Sequence, residues 1–176
     1  SGAYELSNLV WVLHDVWLDW RHTGDEALLR DLLFPVLGES VQYLLNRLEP
    51  GADGRLHLPE AISPEYPTTA RDTNYDLALL RWGLQALIDL DARLGAHDGR
   101  ATRWRETLAA LTDYPVGPDG YLIGRDVPYA VSHRHFSHLL MIYPLKLVTG
   151  ERPGERALIE RSLAHWIGRE GALQGY

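Results

Sequence analysis

The chain has 176 residues, 45% of them hydrophobic and 23% charged, with 17 Lys and Arg against 24 Asp and Glu. That length and composition suit one globular domain burying roughly 70% of the surface its unfolded chain exposes, and exclude a disordered tail. The net charge of −7 argues against nucleic acid or an anionic membrane as partner, and the lack of cysteine excludes disulfide and thiolate chemistry.

In chain order, Leu6, Leu9, Val10, Leu13, Val16, Trp17 and Trp20 recur at helical spacing, with Trp11 and Leu18 apolar on the other side. Both faces of this first helix are therefore expected to be covered by protein. Gly24-Asp25 ends it and caps a second helix, Asp25–Leu48, bent or broken at Pro35 because proline cannot donate to the preceding turn. The second helix is one-sided, with Leu29, Leu32, Leu33, Val36 and Leu44 facing inward.

The same two-helix phrase returns as Tyr75–Leu94 followed, after Gly95, by an amphipathic helix near Gly99–Thr112. A third copy is expected from about Phe136 to Leu147, interrupted or ended near Pro144, with a partner helix from Glu155 to Ile167. Each copy closes on a related phrase: Asp53-Gly54-Arg55-Leu56, Asp119-Gly120-Tyr121-Leu122 and Glu170-Gly171-Ala172-Leu173. Such repetition reads as an all-α array or toroid of helical hairpins, of which about three are present. The long links Glu49–Asp72 and Asp113–Ser132 fall at one end of it, where function concentrates.

Two stretches in those links carry candidate chemistry. In Ile62-Ser63-Pro64-Glu65-Tyr66-Pro67 two prolines stiffen the loop and are expected to hold Glu65 in an extended segment. A fixed carboxyl there suits a general acid, and a solvated turn glutamate is the plainer reading. In Ser132-His133-Arg134-His135-Phe136-Ser137-His138, basic side chains crowd the start of an apolar run. They read as helix caps, as a metal pair through His135 and His138, or as His133, Arg134 and His135 donating hydrogen bonds to a polar substrate. The spacing lacks the pattern of a dedicated metal site, so no metal or cofactor is expected. Trp11, with His14 one turn away, offers a stacking platform. Asn74 and Asp76, beside a helix start capped by Asp72 or Thr73, could reach a cleft.

Taken together, WVLHDVWLDWRHTGDEALLRDLLF at Trp11–Phe34, SPE at Ser63–Glu65, HRHFSHL at His133–Leu139 and the closing ALQGY resemble glycoside hydrolase family 95. That resemblance covers most of the chain, and HRHFSHL is its most specific element. It implies a six-hairpin (α/α)6 catalytic barrel and an inverting exo-glycosidase of the α-L-fucosidase or exo-α-L-galactosidase type. It implies Glu65 as general acid, Arg134 and His135 as sugar-binding pair, and a further contact from Thr69. The family's base, a water held by an asparagine that an aspartate supports, would come from outside these residues. Two departures are evident: Tyr66 stands where the family usually has asparagine, and the stretch from SPE to HRH is short.

The reading that follows has residues 1–176 as one segment, about half the barrel, truncated at both ends and inactive alone. Its partners are a glycoside or oligosaccharide and the rest of the barrel. Two other readings stay open: a polysaccharide lyase using His135 with Tyr75 or Tyr129, and a non-catalytic carbohydrate-binding or scaffold module.

Overall fold

The computed structural model describes residues 4–169. The closing phrase at 170–173 and the whole ALQGY motif lie outside the described residues. The described chain is mostly helical and divides into two compact units.

One unit comprises Ser7–His57 and Leu79–Leu111. It opens with helix α1 (Asn8–Thr23), which ends where Gly24, at φ 71°, turns left-handed and returns its N–H to the Trp20 carbonyl. Glycine is needed there because other residues resist that conformation. The carboxylate of Asp25 then accepts the N–H groups of Ala27 and Leu28 at 2.9 and 3.0 Å, capping the next helix. That helix does not break at Pro35. A π-helical stretch, Leu28–Leu33, runs directly into α2 (Phe34–Leu45), and the Phe34 N–H bonds back five residues to Leu29. The wider turn accommodates a proline that has no N–H to donate and would crowd the carbonyl four residues earlier.

The strands β1 (Glu49–Pro50) and β2 (Leu56–His57) form an antiparallel hairpin around the Asp53-Gly54-Arg55 turn. There the Asp53 carboxylate accepts the Arg55 N–H at 3.0 Å. Helix α3 (Asn74–Leu94) contributes its residues from Leu79 onward, and α4 (Ala101–Ala110) completes the unit. Leu29, Leu33, Leu37, Val41, Leu44, Leu80, Leu84, Leu87 and Trp104 fill its interior. On α1 the pattern departs from expectation: Leu9 and Val12 are exposed, while the polar His14 is buried.

The second unit comprises residues 4–6, Leu58–Ala78 and 112–169. The strands β3 (Ala61–Ile62) and β4 (Thr69–Ala70) pair antiparallel and hold the Ser63–Glu65 loop between them. The Tyr4 carbonyl accepts the Ile62 N–H at 3.3 Å. Thr73 caps α3, its hydroxyl donating to the Asp76 carboxylate at 2.6 Å and accepting the Asp76 N–H at 3.1 Å. A third hairpin, β5 (Val116–Gly117) with β6 (Gly120–Tyr121), turns on Pro118-Asp119. Gly120 sits at φ 123°, and a Cβ there would lie 2.3 Å from the hydroxyl of Ser162 on α5 (Glu155–Gly168).

Two expectations are corrected. The helix expected over Phe136–Leu147 is absent: a single 3₁₀ turn, Ser137–Leu139, leads into further turns. Pro144 has no N–H for a helical bond, and the residue before a proline resists helical geometry, so too few residues remain to propagate a helix. The carbonyl of Met141 instead accepts the N–H groups of Leu147 and Val148 at 2.8 and 2.9 Å. The long links, for their part, are not plain loops. They carry the three two-stranded hairpins, whose strands of two residues are too short to leave an alternating pattern in sequence. The all-α expectation thus becomes a mostly helical chain with small hairpin sheets.

Candidate active site

The Ser63-Pro64-Glu65-Tyr66 segment is a tight turn closed by the Tyr66 N–H donating to the Ser63 carbonyl at 2.9 Å. Pro64 occupies its second position and Glu65, at φ 55°, its third. A proline followed by a left-handed residue is the arrangement of a type II turn, in which the third position ordinarily belongs to glycine. Glu65 is therefore left-handed, not extended. The second proline restrains Tyr66, which precedes it, and leaves Glu65 free of that restraint. A glutamate costs roughly 1–2 kcal/mol more than glycine in this conformation, so the surroundings must hold it.

They do so on both sides. The Glu65 N–H donates to Oε1 of Glu5 at 3.2 Å, and Nε2 of His133 lies 3.0 Å from the Glu65 carbonyl oxygen. Around the turn, the Ser63 and Ser137 hydroxyls meet at 2.7 Å, both buried. The Tyr66 hydroxyl accepts the N–H groups of Ala130 and Val131 at 2.8 and 3.1 Å and donates to the Pro128 carbonyl at 3.2 Å. The turn and the 128–137 segment are thus fastened together by side chains.

At this junction the Glu65 carboxylate makes an ion pair with Arg134, and Nε2 of His135 lies 3.3 Å from the same oxygen. All three side chains are about half exposed, at 51% for Glu65 and 43% for the other two. His135 Nε2 also lies 3.3 Å from the Arg134 Nε–H. One ring nitrogen has one role at a time: protonated it donates to Glu65, and bare it accepts from Arg134. Partial burial pushes the Glu65 carboxyl up, but the hydrogen bond and charge of Arg134, then His135, outweigh it and hold it below the usual carboxylate value. The resting carboxyl is therefore an anion with the Arg134 guanidinium beside it.

The other sequence candidates lie elsewhere or are otherwise engaged. His133 is buried with both ring nitrogens bonded to backbone, which leaves it no ring donor for a substrate. The Thr69 hydroxyl donates to the Glu60 carboxylate. Asn74 is buried, its amide donating to the Pro115 and Leu122 carbonyls at 2.9 and 2.7 Å, so it ties a loop rather than lining a cleft. Trp11 and His14 belong to the other unit. There His14 packs against both Trp17 and Trp82, with ring centroids 5.8 and 4.9 Å away, and burial lowers its pKa against the pull of Asp15. Trp11 is half-buried on α1.

His138 does not pair with the half-exposed His135. It lies in the core, its ring stacked on Tyr129 at 4.7 Å, and burial is the main cause that pushes its pKa down to about 3. Among the described residues no group of three or more His, Cys, Asp or Glu is placed to hold a metal ion. Glu5 and Tyr66 are contributors that sequence reasoning did not single out for support of the site. Their roles depend on tertiary bonds for which a single sequence gives no local signal.

The profile of the glycosyl hydrolase family 95 catalytic domain matches residues 3–168. The chain belongs to that family. Family 95 is the family already suggested by the SPE and HRHFSHL motifs, and membership implies a carbohydrate substrate. Alpha-L-fucosidase 2 of Arabidopsis thaliana is 25% identical over 176 residues, which cover 92% of this chain and 21% of the plant protein. Trehalose 6-phosphate phosphorylase of Lactococcus lactis subsp. lactis (strain IL1403) is 28% identical over 90 residues, 47% of this chain and 12% of that protein. The family 95 chain described here thus spans a small part of either relative. No helix among its described residues is long and apolar enough to cross a membrane.

Proposed function

We propose that this family 95 chain is part of an inverting glycoside hydrolase that releases a terminal α-linked L-fucose-like sugar, with Glu65 as the general acid. The observation that carries the reading is the convergence of Glu65 with Arg134 and His135 on one half-exposed cluster from distant parts of the sequence. A left-handed glutamate held by side chains on both of its backbone groups adds support, because such geometry persists where the surroundings enforce it. Arg134 and His135 supply the donors that sugar hydroxyls require.

The resting ion pair suggests how the acid is charged with its proton. A sugar whose hydroxyls draw Arg134 and His135 away, and which displaces water from Glu65, removes what lowers its pKa and strengthens what raises it. The carboxyl then takes up a proton and delivers it to the departing glycosidic oxygen. An inverting reaction also needs a group that activates water on the opposite face of the sugar. We assign that role to residues beyond this segment, with the remainder of an (α/α)6 barrel as its structural partner, and the segment alone is expected to turn over nothing.

The test is hydrolysis of methyl α-L-fucoside and methyl α-L-galactoside, whose leaving group needs a proton, by the full-length protein and its Glu65→Gln variant. Proton NMR would identify the first-formed anomer. The reading requires the β anomer first and a loss of roughly 100-fold or more in Glu65→Gln. Retained activity in that variant would refute the assignment. Release that depends on added inorganic phosphate would move the function to a phosphorylase, the activity named for the second relative. The lyase alternative is less well supported: burial, then Asp76 and Glu5, raise the Tyr75 pKa, and the Tyr129 hydroxyl is tied to the backbone of His133.

A further inference from the structure

One imidazole joins the turn that carries Glu65 to the segment that carries Arg134 and His135. His133 is 5% exposed; its Nε2 lies 3.0 Å from the Glu65 carbonyl oxygen and its Nδ1 lies 3.1 Å from the His135 backbone nitrogen. A carbonyl only accepts and a backbone N–H only donates. The ring is therefore the neutral tautomer with its proton on Nε2, donating to Glu65 and accepting from His135. A second proton, on Nδ1, would cost the bond to His135.

The backbone that bears the ring is pinned as well. The Tyr129 hydroxyl accepts the His133 N–H at 2.9 Å and donates to the His133 carbonyl at 3.3 Å. Arg134 is thereby suspended between two residues whose backbones are fastened, one by Tyr129 and the other by His133 itself. On the Glu65 side, among the described residues, the left-handed residue's backbone is otherwise held by the Glu5 contact to its N–H.

We propose that His133 is a positioning residue: it fixes the Glu65 carboxyl against Arg134 and His135 without touching the sugar. The proposal rests on the reading of Glu65 as the general acid. A carboxyl displaced by an ångström delivers its proton poorly, and the penalty falls where protonation of the leaving group matters most.

The experiment compares His133→Ala and His133→Gln in the full-length protein on methyl α-L-fucoside, whose leaving group needs a proton, and para-nitrophenyl α-L-fucoside, whose leaving group needs little. In His133→Ala, kcat is expected to fall about 100-fold on the methyl glycoside and less than about tenfold on the aryl one, with KM little changed. Glutamine places an amide near the Nε2 position, can again donate to the Glu65 carbonyl, and should recover most of the loss. Equal losses on both substrates would overturn the proposal, as would no loss.

A second readout needs no turnover. With ¹³C-labelled glutamate, the Glu65 titration midpoint should move upward in His133→Ala, as its hold on Arg134 loosens, and should stay in place in His133→Gln. An unmoved midpoint in folded His133→Ala would overturn the proposal. If His133→Ala fails to fold, Tyr129→Phe must show the same selective loss in smaller degree, and its absence is equally decisive. If the unmutated protein hydrolyses neither glycoside, the acid reading fails and the titration still judges the positioning.

Discussion

The carboxylate of Glu65 lies against the guanidinium of Arg134, 69 residues further along the chain, with both side chains about half exposed. This relationship sets the electrostatics of the candidate site. In the resting state the carboxyl is held ionised, whereas a general acid must be protonated at the moment of reaction. On the proposed reading the two states are reconciled only if substrate changes the partners of Glu65, with Arg134 exchanging a carboxylate for sugar hydroxyls.

Arg134→Ala should therefore raise the titration midpoint of Glu65, since the larger of the influences that lower it is gone. Stability should respond with a definite sign. A carboxyl whose pKa is lowered by folding stabilises the folded state above its unfolded pKa, and this contribution disappears as the pH falls through the folded value. The unmutated protein should thus lose an increment of stability on acidification that Arg134→Ala has already lost at neutral pH. The increment is small because the pair faces solvent. Chemical denaturation at several pH values, alongside ¹³C titration of Glu65, checks both halves.

Asn74 offers a structural control. Its amide donates to the Pro115 and Leu122 carbonyls from a fully buried position, and its backbone N–H donates to the Ile123 carbonyl at 2.9 Å. Asn74→Ala takes from the Leu122 carbonyl its side-chain donor and leaves the Pro115 carbonyl with the Leu122 N–H at 3.0 Å, so the cost is about 1–3 kcal/mol for the Leu122 carbonyl if it stays dry. The variant should unfold at lower denaturant concentration while KM for the aryl fucoside is unchanged in the folded fraction. A raised KM with normal stability would return Asn74 to the substrate-binding residues.

The helices were legible because apolar residues at helical spacing report a buried face whatever the tertiary context. The expected helix at Tyr75–Leu94 therefore lies within one residue of the observed α3. Pro35 and Pro144 show where that logic weakens. The first is absorbed by a π-helical stretch that widens the turn, and the second leaves a 3₁₀ turn where the apolar run suggested a helix. At the site, Glu65, Arg134 and His135 were nominated by loop position and motif, and the fold brings them together. The burial of His14 beside Trp82, the engagement of Asn74 with two distant carbonyls and the contribution of Glu5 all depend on partners far away in sequence. No local pattern encodes such partners. The left-handed backbone of Glu65 was more accessible, since proline at the second position of a turn already points to a left-handed residue next.

Gly120 is the tightest packing position in the hairpin of the second unit. Its φ of 123° disfavours a side chain, and a Cβ would lie 2.3 Å from the Ser162 hydroxyl and 2.7 Å from the Ser162 Cα. That hydroxyl is itself engaged, accepting the Tyr121 N–H at 3.0 Å and donating to the Leu158 carbonyl at 2.7 Å. Gly120→Ala combines backbone strain with overpacking and should cost about 3 kcal/mol in denaturant melts. Adding Ser162→Gly would relieve the contact with the hydroxyl but not the strain or the backbone contact, so only partial recovery is expected. Full recovery would show that the hydroxyl contact alone was responsible.

His138 gives the clearest pH signature. It is buried against Tyr129, its Nδ1 meets no hydrogen-bond partner among the described residues, and burial is the main cause that depresses its pKa to about 3. The unfolded chain has no such environment and takes up a proton near the ordinary histidine value, about 6.5. Between those values the unfolded state binds a proton that the folded state refuses, so stability falls as the pH is lowered from about 6.5 towards 3. Replacing the imidazole by a ring of similar size that cannot titrate, His138→Phe, keeps the stacking on Tyr129 and removes this proton linkage. The slope of unfolding free energy against pH should accordingly be shallower in His138→Phe over that window, even if the variant is less stable at neutral pH. Parallel slopes for the two proteins would mean that His138 is protonated in the folded state, and that its burial is less complete than the packing against Tyr129 requires.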